Sequence, residues 1–244
     1  MSERRERAGI LETLRDRYAT YGFLSRIYRE ELTGPLLREM AGSASLQDAP
    51  APDSEGLTMI QEFAGGLQRA DLEEVEWDLA AEYAGLFLSG AHSVSPYESV
   101  YTSRVMQEAR DEVLKIYMGE GLEVSQGCNE PEDHLAIELE LMRRLCQKTI
   151  DSMEQDDLRT ALRCLERQEQ FLARHLQAWV PRFCADMEKA ARSGFYKGIA
   201  KVTGEFLALD KETIRELIEA VKDGISSGAP PPPPLSHDRR FAPG

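Results

Sequence analysis

A chain of 244 residues is long enough for one large domain or two small ones, with a core that needs no metal or disulfide to hold it. Its 43 acidic and 29 basic residues give a formal net charge of −14. That balance excludes the basic footprint of a nucleic-acid binder, disfavours a basic membrane anchor and points to a cationic partner. Leu occurs 28 times, as often as Val, Ile and Thr combined, which is the composition of helices rather than strands. Cysteines at 128, 146, 164 and 184 form no C-x-x-C pair, and no apolar run approaches the roughly 20 residues of a membrane span. The N-terminal Met-Ser-Glu-Arg-Arg-Glu-Arg leads into no apolar export segment. The chain reads as cytoplasmic, with reduced thiols.

The predicted elements are helices throughout. Ile10, Leu11, Leu14, Tyr18, Tyr21, Leu24 and Tyr28 keep one face through a long first helix, which Thr33-Gly34-Pro35 breaks, with Pro35 placed to open a short second one. Residues 43 to 56 read as a loop, followed by helices around Leu57–Leu67 and Leu72–Leu88. Residues 89 to 103, small, polar and aromatic, read as a long ordered loop. A helix near Arg104 reaches Gly119 or Gly121, a second loop spans Leu122 to Asn129, and Pro131 is placed as the first-turn proline of a helix to about Ile150. Leu158, Leu162, Leu165, Leu172, Leu176 and Trp179 mark a long helix expected to stop before Pro181, with two or three shorter helices over 182 to 223. From Gly224 a proline-rich tail carries no periodicity, and its Arg239-Arg240-Phe241 is a crude echo of an arginine-pair ligand. The expected fold is a single all-α domain of about nine to eleven helices over residues 1 to 223, without a sheet, and a flexible tail over 224 to 244.

Chemistry concentrates in two segments. In Asn129-Glu130-Pro131-Glu132-Asp133-His134, running on to Glu138, the residues Glu130, His134 and Glu138 are four apart and would share one face of a helix. A histidine between two carboxylates could hold a metal or act as an acid–base group. Acids at a helix start are also what the macrodipole favours in a purely structural cap. In Pro96-Tyr97-Glu98-Ser99-Val100-Tyr101, the two tyrosines and the carboxylate either form a recognition surface or wedge the loop onto the helices beneath. His175, one turn from Trp179 on an apolar face, reads as a hydrogen-bonded core residue. The chain has no phosphate-binding glycine loop and no nucleophile elbow.

Taken together, Tyr83-Ala84-Gly85-Leu86-Phe87 leading into Pro96-Tyr97-Glu98-Ser99-Val100-Tyr101, and then Glu130-Pro131-Glu132-Asp133-His134 with Glu138-Leu139, resemble the TorD/DmsD/NarJ family of redox-enzyme maturation chaperones. The resemblance spans roughly residues 18 to 205. It implies an all-α cytoplasmic chaperone rather than an enzyme. Such a chaperone binds the twin-arginine signal peptide and the apo-form of a molybdenum reductase catalytic subunit, and assists molybdopterin guanine dinucleotide insertion before export. It implies a peptide site bordered by Tyr97, Glu98, Ser99, Tyr101, Glu130, Pro131, Asp133 and His134. No catalytic residue, metal or cofactor of the chaperone's own is expected, and a homodimer is left open. The rival expectation is a metal- or nucleotide-dependent helical enzyme using His134 with Glu130 and Glu138.

Overall fold

The structure, a computed structural model, describes residues 2–43, 54–88, 93–102, 106–119 and 130–228. Among these residues every regular element is helical, and the only strand-like pairing is an isolated bridge between Tyr97 and His134. In chain order the helices are α1 (Ser2–Arg29), α2 (Gly34–Gly42), α3 (Glu55–Leu67), α4 (Leu72–Tyr83), α5 (Glu98–Tyr101), α6 (Met106–Gly119), α7 (Leu135–Glu154), α8 (Leu158–Phe171), α9 (Gln177–Ala190) and α10 (Gly194–Gly228). A π turn over Ala84–Leu88 extends α4, and another over Leu172–Leu176 joins α8 to α9. No helix among the described residues is long and apolar enough to cross a membrane.

Helix starts follow side-chain chemistry. Ser54 accepts from the Leu57 N–H at 3.0 Å, Asp71 from Glu73 at 3.0 Å and Asp157 from Thr160 at 3.0 Å, each satisfying an amide that the first turn leaves without a carbonyl. Pro35 stands in the first turn of α2 as its fixed φ prescribes. The bundle is organised by α1 lying along α7, α7 against α8, and α10 against α3, α8 and α9. α3 crosses α10 so closely that a Cβ on Gly56 would stand 2.5 Å from the Val202 backbone nitrogen, so this contact requires glycine. The core is rich in aromatic rings. Trp179 and Phe183 are fully buried with centroids 5.5 Å apart, and Tyr28 meets Phe183 at 5.6 Å.

Four sequence expectations need correction. The helix placed at Pro131 begins at Leu135, because His134 and not a proline caps it. Pro181 does not stop the preceding helix but lies inside α9. A proline costs a helix interior about 3 kcal/mol, whereas Trp179, Val180, Phe183, Cys184 and Met187 of α9 are all buried, each worth about 1.5–3 kcal/mol. In place of two or three short helices after residue 182, α9 ends at Ala190 and α10 runs unbroken for 35 residues. Buried Phe195, Ile199, Leu207, Ile214 and Val221 maintain its inner stripe. Finally, α10 continues to Gly228, past the boundary placed at 223; the tail from 229 onward, with its arginine pair, lies outside the described residues.

The first and last helices are bolted by a buried charge pair. Arg17 donates to Asp210 through Nε at 2.5 Å and Nη2 at 3.0 Å, and the Tyr21 hydroxyl donates to the same carboxylate at 2.7 Å. Neither partner retains more than 4% side-chain exposure. Removing one member strands the other charge in the core, which costs about 3–5 kcal/mol, whereas replacing both by apolar residues costs much less. Asp210→Ala is therefore expected to lower urea stability by about 3 kcal/mol or more. Arg17→Met combined with Asp210→Leu is expected to lose less than that single change.

Candidate functional site

The two motif segments meet at one junction. Glu98 N–H donates to the Asp133 carbonyl at 3.0 Å, and Leu135 N–H donates to the Pro96 carbonyl at 2.8 Å, on either side of the Tyr97–His134 bridge. Asp133 Oδ2 accepts from the Ser99 N–H at 3.2 Å, so the carboxylate of one segment caps the helical turn of the other. His134 Nδ1 accepts from the Ala136 N–H at 3.1 Å and caps α7, while its ring meets Tyr97 edge-on at 5.0 Å. The Tyr97 hydroxyl donates to Glu130. The segment read as a loop over 89 to 103 therefore contains the α5 turn; residues 89–92 and 103–105 lie outside the description.

Beneath this junction lies a buried polar cluster. Glu98 Oε2 pairs with His175 Nδ1 at 2.8 Å, and Trp179 Nε1 donates to Glu138 Oε2 at 3.1 Å. Glu98 and Glu138 are both fully buried, with carboxylate oxygens within 4.8 Å of each other. Burial, and then the neighbouring Glu98 charge, push the Glu138 carboxyl well above its ordinary range. The π turn over Leu172–Leu176 carries His175, and the one over Ala84–Leu88 carries Phe87 against Tyr83 and Tyr28, with ring centroids 5.0 and 6.2 Å apart. Each π turn rotates the following residues relative to an ideal helix, a local device frequent at functional sites.

All eight residues of the expected peptide site surround this junction, but not in equivalent positions. Glu130 is exposed, and Tyr97, Ser99, Tyr101 and Pro131 are partly exposed; Glu98, Asp133 and His134 are buried. The expectation that Glu130, His134 and Glu138 share a helical face fails, because only Glu138 lies within α7. Ligand atoms of Glu98, Glu138 and His175 instead come within 4.8 Å of one another. Glu98 pairs with His175 and Glu138 accepts from Trp179, ties that hold three separate segments together, while Glu138 Oε1 has no hydrogen-bond partner among the described residues. His175 is the hydrogen-bonded core histidine its apolar setting suggested. Cys146, Cys164 and Cys184 are buried free thiols.

The sequence reading missed Asp186. It lines a hollow of about 550 Å³ with Ser93, Val94, Tyr101 and Lys189, on the outer side of the α5 turn. Tyr101 forms its inner wall, stacked on Trp179 at 5.6 Å and covered by the Arg182 guanidinium at 5.7 Å. The available signal was helical spacing, since Asp186 lies two turns beyond Trp179 on the same helix. A separate cleft of about 680 Å³ is lined by His175 with Lys115, Arg167, Arg174 and Glu112.

The two motif segments of an all-helical bundle are thus joined over a buried carboxyl–imidazole cluster. The chain belongs to the nitrate reductase delta subunit family, which it matches over residues 47–185. This bears out the resemblance to the TorD/DmsD/NarJ family. Chaperone protein TorD of Vibrio cholerae is 28% identical over 205 residues, covering 82% of this chain and 92% of that protein. A second Vibrio cholerae TorD chaperone is 31% identical over 152 residues, 61% of this chain and 68% of its own length. Chaperone protein TorD of Shewanella oneidensis is 27% identical over 218 residues, 84% of this chain and 93% of its own.

The two buried titrating groups give opposite pH slopes. Burial lowers His134 to about 4 in the fold, against about 6.5 unfolded, so the unfolded chain binds the extra proton as pH falls through this range. The cap's contribution is present above about pH 6.5 and is lost toward pH 4; the expected loss by pH 5 is roughly 2 kcal/mol. His134→Asn keeps a capping acceptor without the titration, so its urea stability is expected to decline less between pH 7 and pH 5 than the parent's. Glu138 has a raised folded value, so its contribution is fully present below its unfolded value and is lost as pH rises through the folded one. Glu138→Gln, which can accept from Trp179 and donate to Glu98, is expected to remove up to about 1.4 kcal/mol per pH unit of that decline. Glu138→Ala is expected to destabilise at every pH.

Proposed function

We propose that this protein is a cytoplasmic chaperone that binds the twin-arginine signal peptide and the apo-form of a molybdenum-containing reductase catalytic subunit. In this reading it holds the client for molybdopterin guanine dinucleotide insertion before export. Family membership and the TorD chaperones among its relatives support the class. The carrying observation is the α5 junction, where partly exposed Tyr97, Ser99 and Tyr101 stand beside Glu130 and above the Asp186 hollow. A twin-arginine peptide offers guanidinium forks followed by an apolar segment. Its receptor needs carboxylates for the former and an aromatic wall for the latter, and this surface presents both.

The cleft lined by His175 sets Lys115, Arg167 and Arg174 against Glu112, an excess of positive charge that disfavours an arginine pair, whereas the junction side sets Glu130 and Asp186 beside Lys189 and Arg182 without that excess. Glu130, Tyr97, Ser99, Tyr101 and Pro131 are the contact residues in this reading. Glu98, Asp133 and His134 act through them as positioning residues. Asp133 Oδ1 and Ser99 Oγ are buried without a hydrogen-bond partner among the described residues, so the junction retains capacity for a ligand's polar groups. The net charge of −14 favours encounter with a cationic peptide.

Titration calorimetry with a twin-arginine peptide tests the reading. Asp133→Ala and His134→Ala are expected to weaken binding by more than about 1 kcal/mol while the chain stays folded, the scale of a lost polar contact. Changing the peptide's Arg-Arg to Lys-Lys is also expected to cost affinity, because an ammonium cannot reproduce the planar fork. Parent-like affinity in both variants would remove the assignment of the site. Absence of binding to the parent would remove the proposed function.

A further inference from the structure

A second recess lies away from the junction, between the end of α1, the start of α2 and the outer face of α4. It encloses about 540 Å³, and its walls include Leu72, Trp77 and the carboxylates of Glu31, Glu73 and Glu76, against the single cation Arg38. Trp77 keeps 72% of its surface exposed, whereas the chain's other tryptophan, Trp179, is fully buried. A large ring left in water beside carboxylates is a platform for a guanidinium, which gains from the ring face and from the acids together. One face of α4 leads from the recess into the core, where Tyr83 is buried. Trp77, Ala80, Tyr83 and Phe87 follow one another at spacings of three and four residues. Burial, and then the charges of Glu130 at the junction and Glu31 at the recess, push the Tyr83 hydroxyl up to about 12.

We infer that this α2–α4 recess binds the basic stretch preceding the arginine pair of a twin-arginine signal peptide, with Trp77 covering one cationic side chain and Glu31, Glu73 and Glu76 neutralising it. The inference rests on the proposed function and extends it to a second, separable contact. Export signals carry a positively charged region ahead of their apolar segment, and this recess is complementary to it in charge and in aromatic surface. It would therefore contribute affinity without reading the arginine pair itself.

Two synthetic peptides separate the contacts, one with three basic residues ahead of its Arg-Arg pair and one beginning at that pair. The longer peptide is expected to bind the parent three- to tenfold more tightly, with the advantage shrinking as salt rises. It is also expected to shield the exposed tryptophan from acrylamide quenching, a signal isolated by subtracting the Trp77→Phe variant. Trp77→Ala and Glu73→Gln with Glu76→Gln should reduce the affinity of the longer peptide to that of the shorter one and leave the shorter one unchanged. These residues are on the surface, and an unaltered thermal midpoint would confirm that the variants fold. Equal parent affinities for the two peptides, or a Trp77→Ala variant that binds the longer one like the parent, would overturn the inference while leaving the proposed function intact. Loss of self-association in Trp77→Ala with unchanged peptide affinity would overturn it in favour of a second copy of the chain. Failure of both peptides to bind the parent would overturn both readings.

Discussion

The burial of Glu98 and Glu138 side by side is the constraint on which the α5 junction depends. Two carboxyl groups buried side by side cannot both be charged without a large desolvation cost. Burial and the neighbouring Glu98 charge push the Glu138 carboxyl well above its ordinary range, which relieves that repulsion, and Glu98 pairs with His175. That chain of contacts ties three distant parts of the sequence together: the α5 turn through Glu98, α7 through Glu138, and the α8–α9 rod through His175 and Trp179. The surface residues Tyr97, Ser99 and Tyr101 belong to the same turn as Glu98 and inherit its position.

The main-chain junction makes this positioning directional. Asp133 caps α5 and His134 caps α7, while the bridge between Tyr97 and His134 fixes the register of the two segments. Buried residues of the motif therefore hold the shape, and partly exposed ones present it. A four-residue helix such as α5 has no stability of its own. It persists because its first turn is capped from another segment and its glutamate is anchored in the core.

Much of this was legible in the sequence, for identifiable reasons. The stripe from Ile10 to Tyr28 is a local signal, so the first helix lies where periodicity places it. Pro131 misled through proline's preference for a first helical turn and Pro181 through its penalty in a helix interior, whereas a histidine cap and a run of buried side chains decide the outcome. The spacing of Glu130, His134 and Glu138 suggested a shared face only if a helix began early enough to contain them all. The partnership of Glu98 with His175 spans 77 positions and has no local signature. Neither do the π turns, which arise from packing rather than from propensity, nor the Asp186 hollow, which exists only once α9 has met the α5 turn.

The account stands most directly on where a twin-arginine peptide touches the chain. Amide hydrogen exchange of the full-length protein, with and without saturating peptide, reads that footprint without any substitution. Slowed exchange concentrated in residues 96–102 and 130–136, the two halves of the junction, is the expected result. Unchanged exchange in both segments, with protection confined to the cationic cleft at Lys115, Arg167 and Arg174, would contradict it.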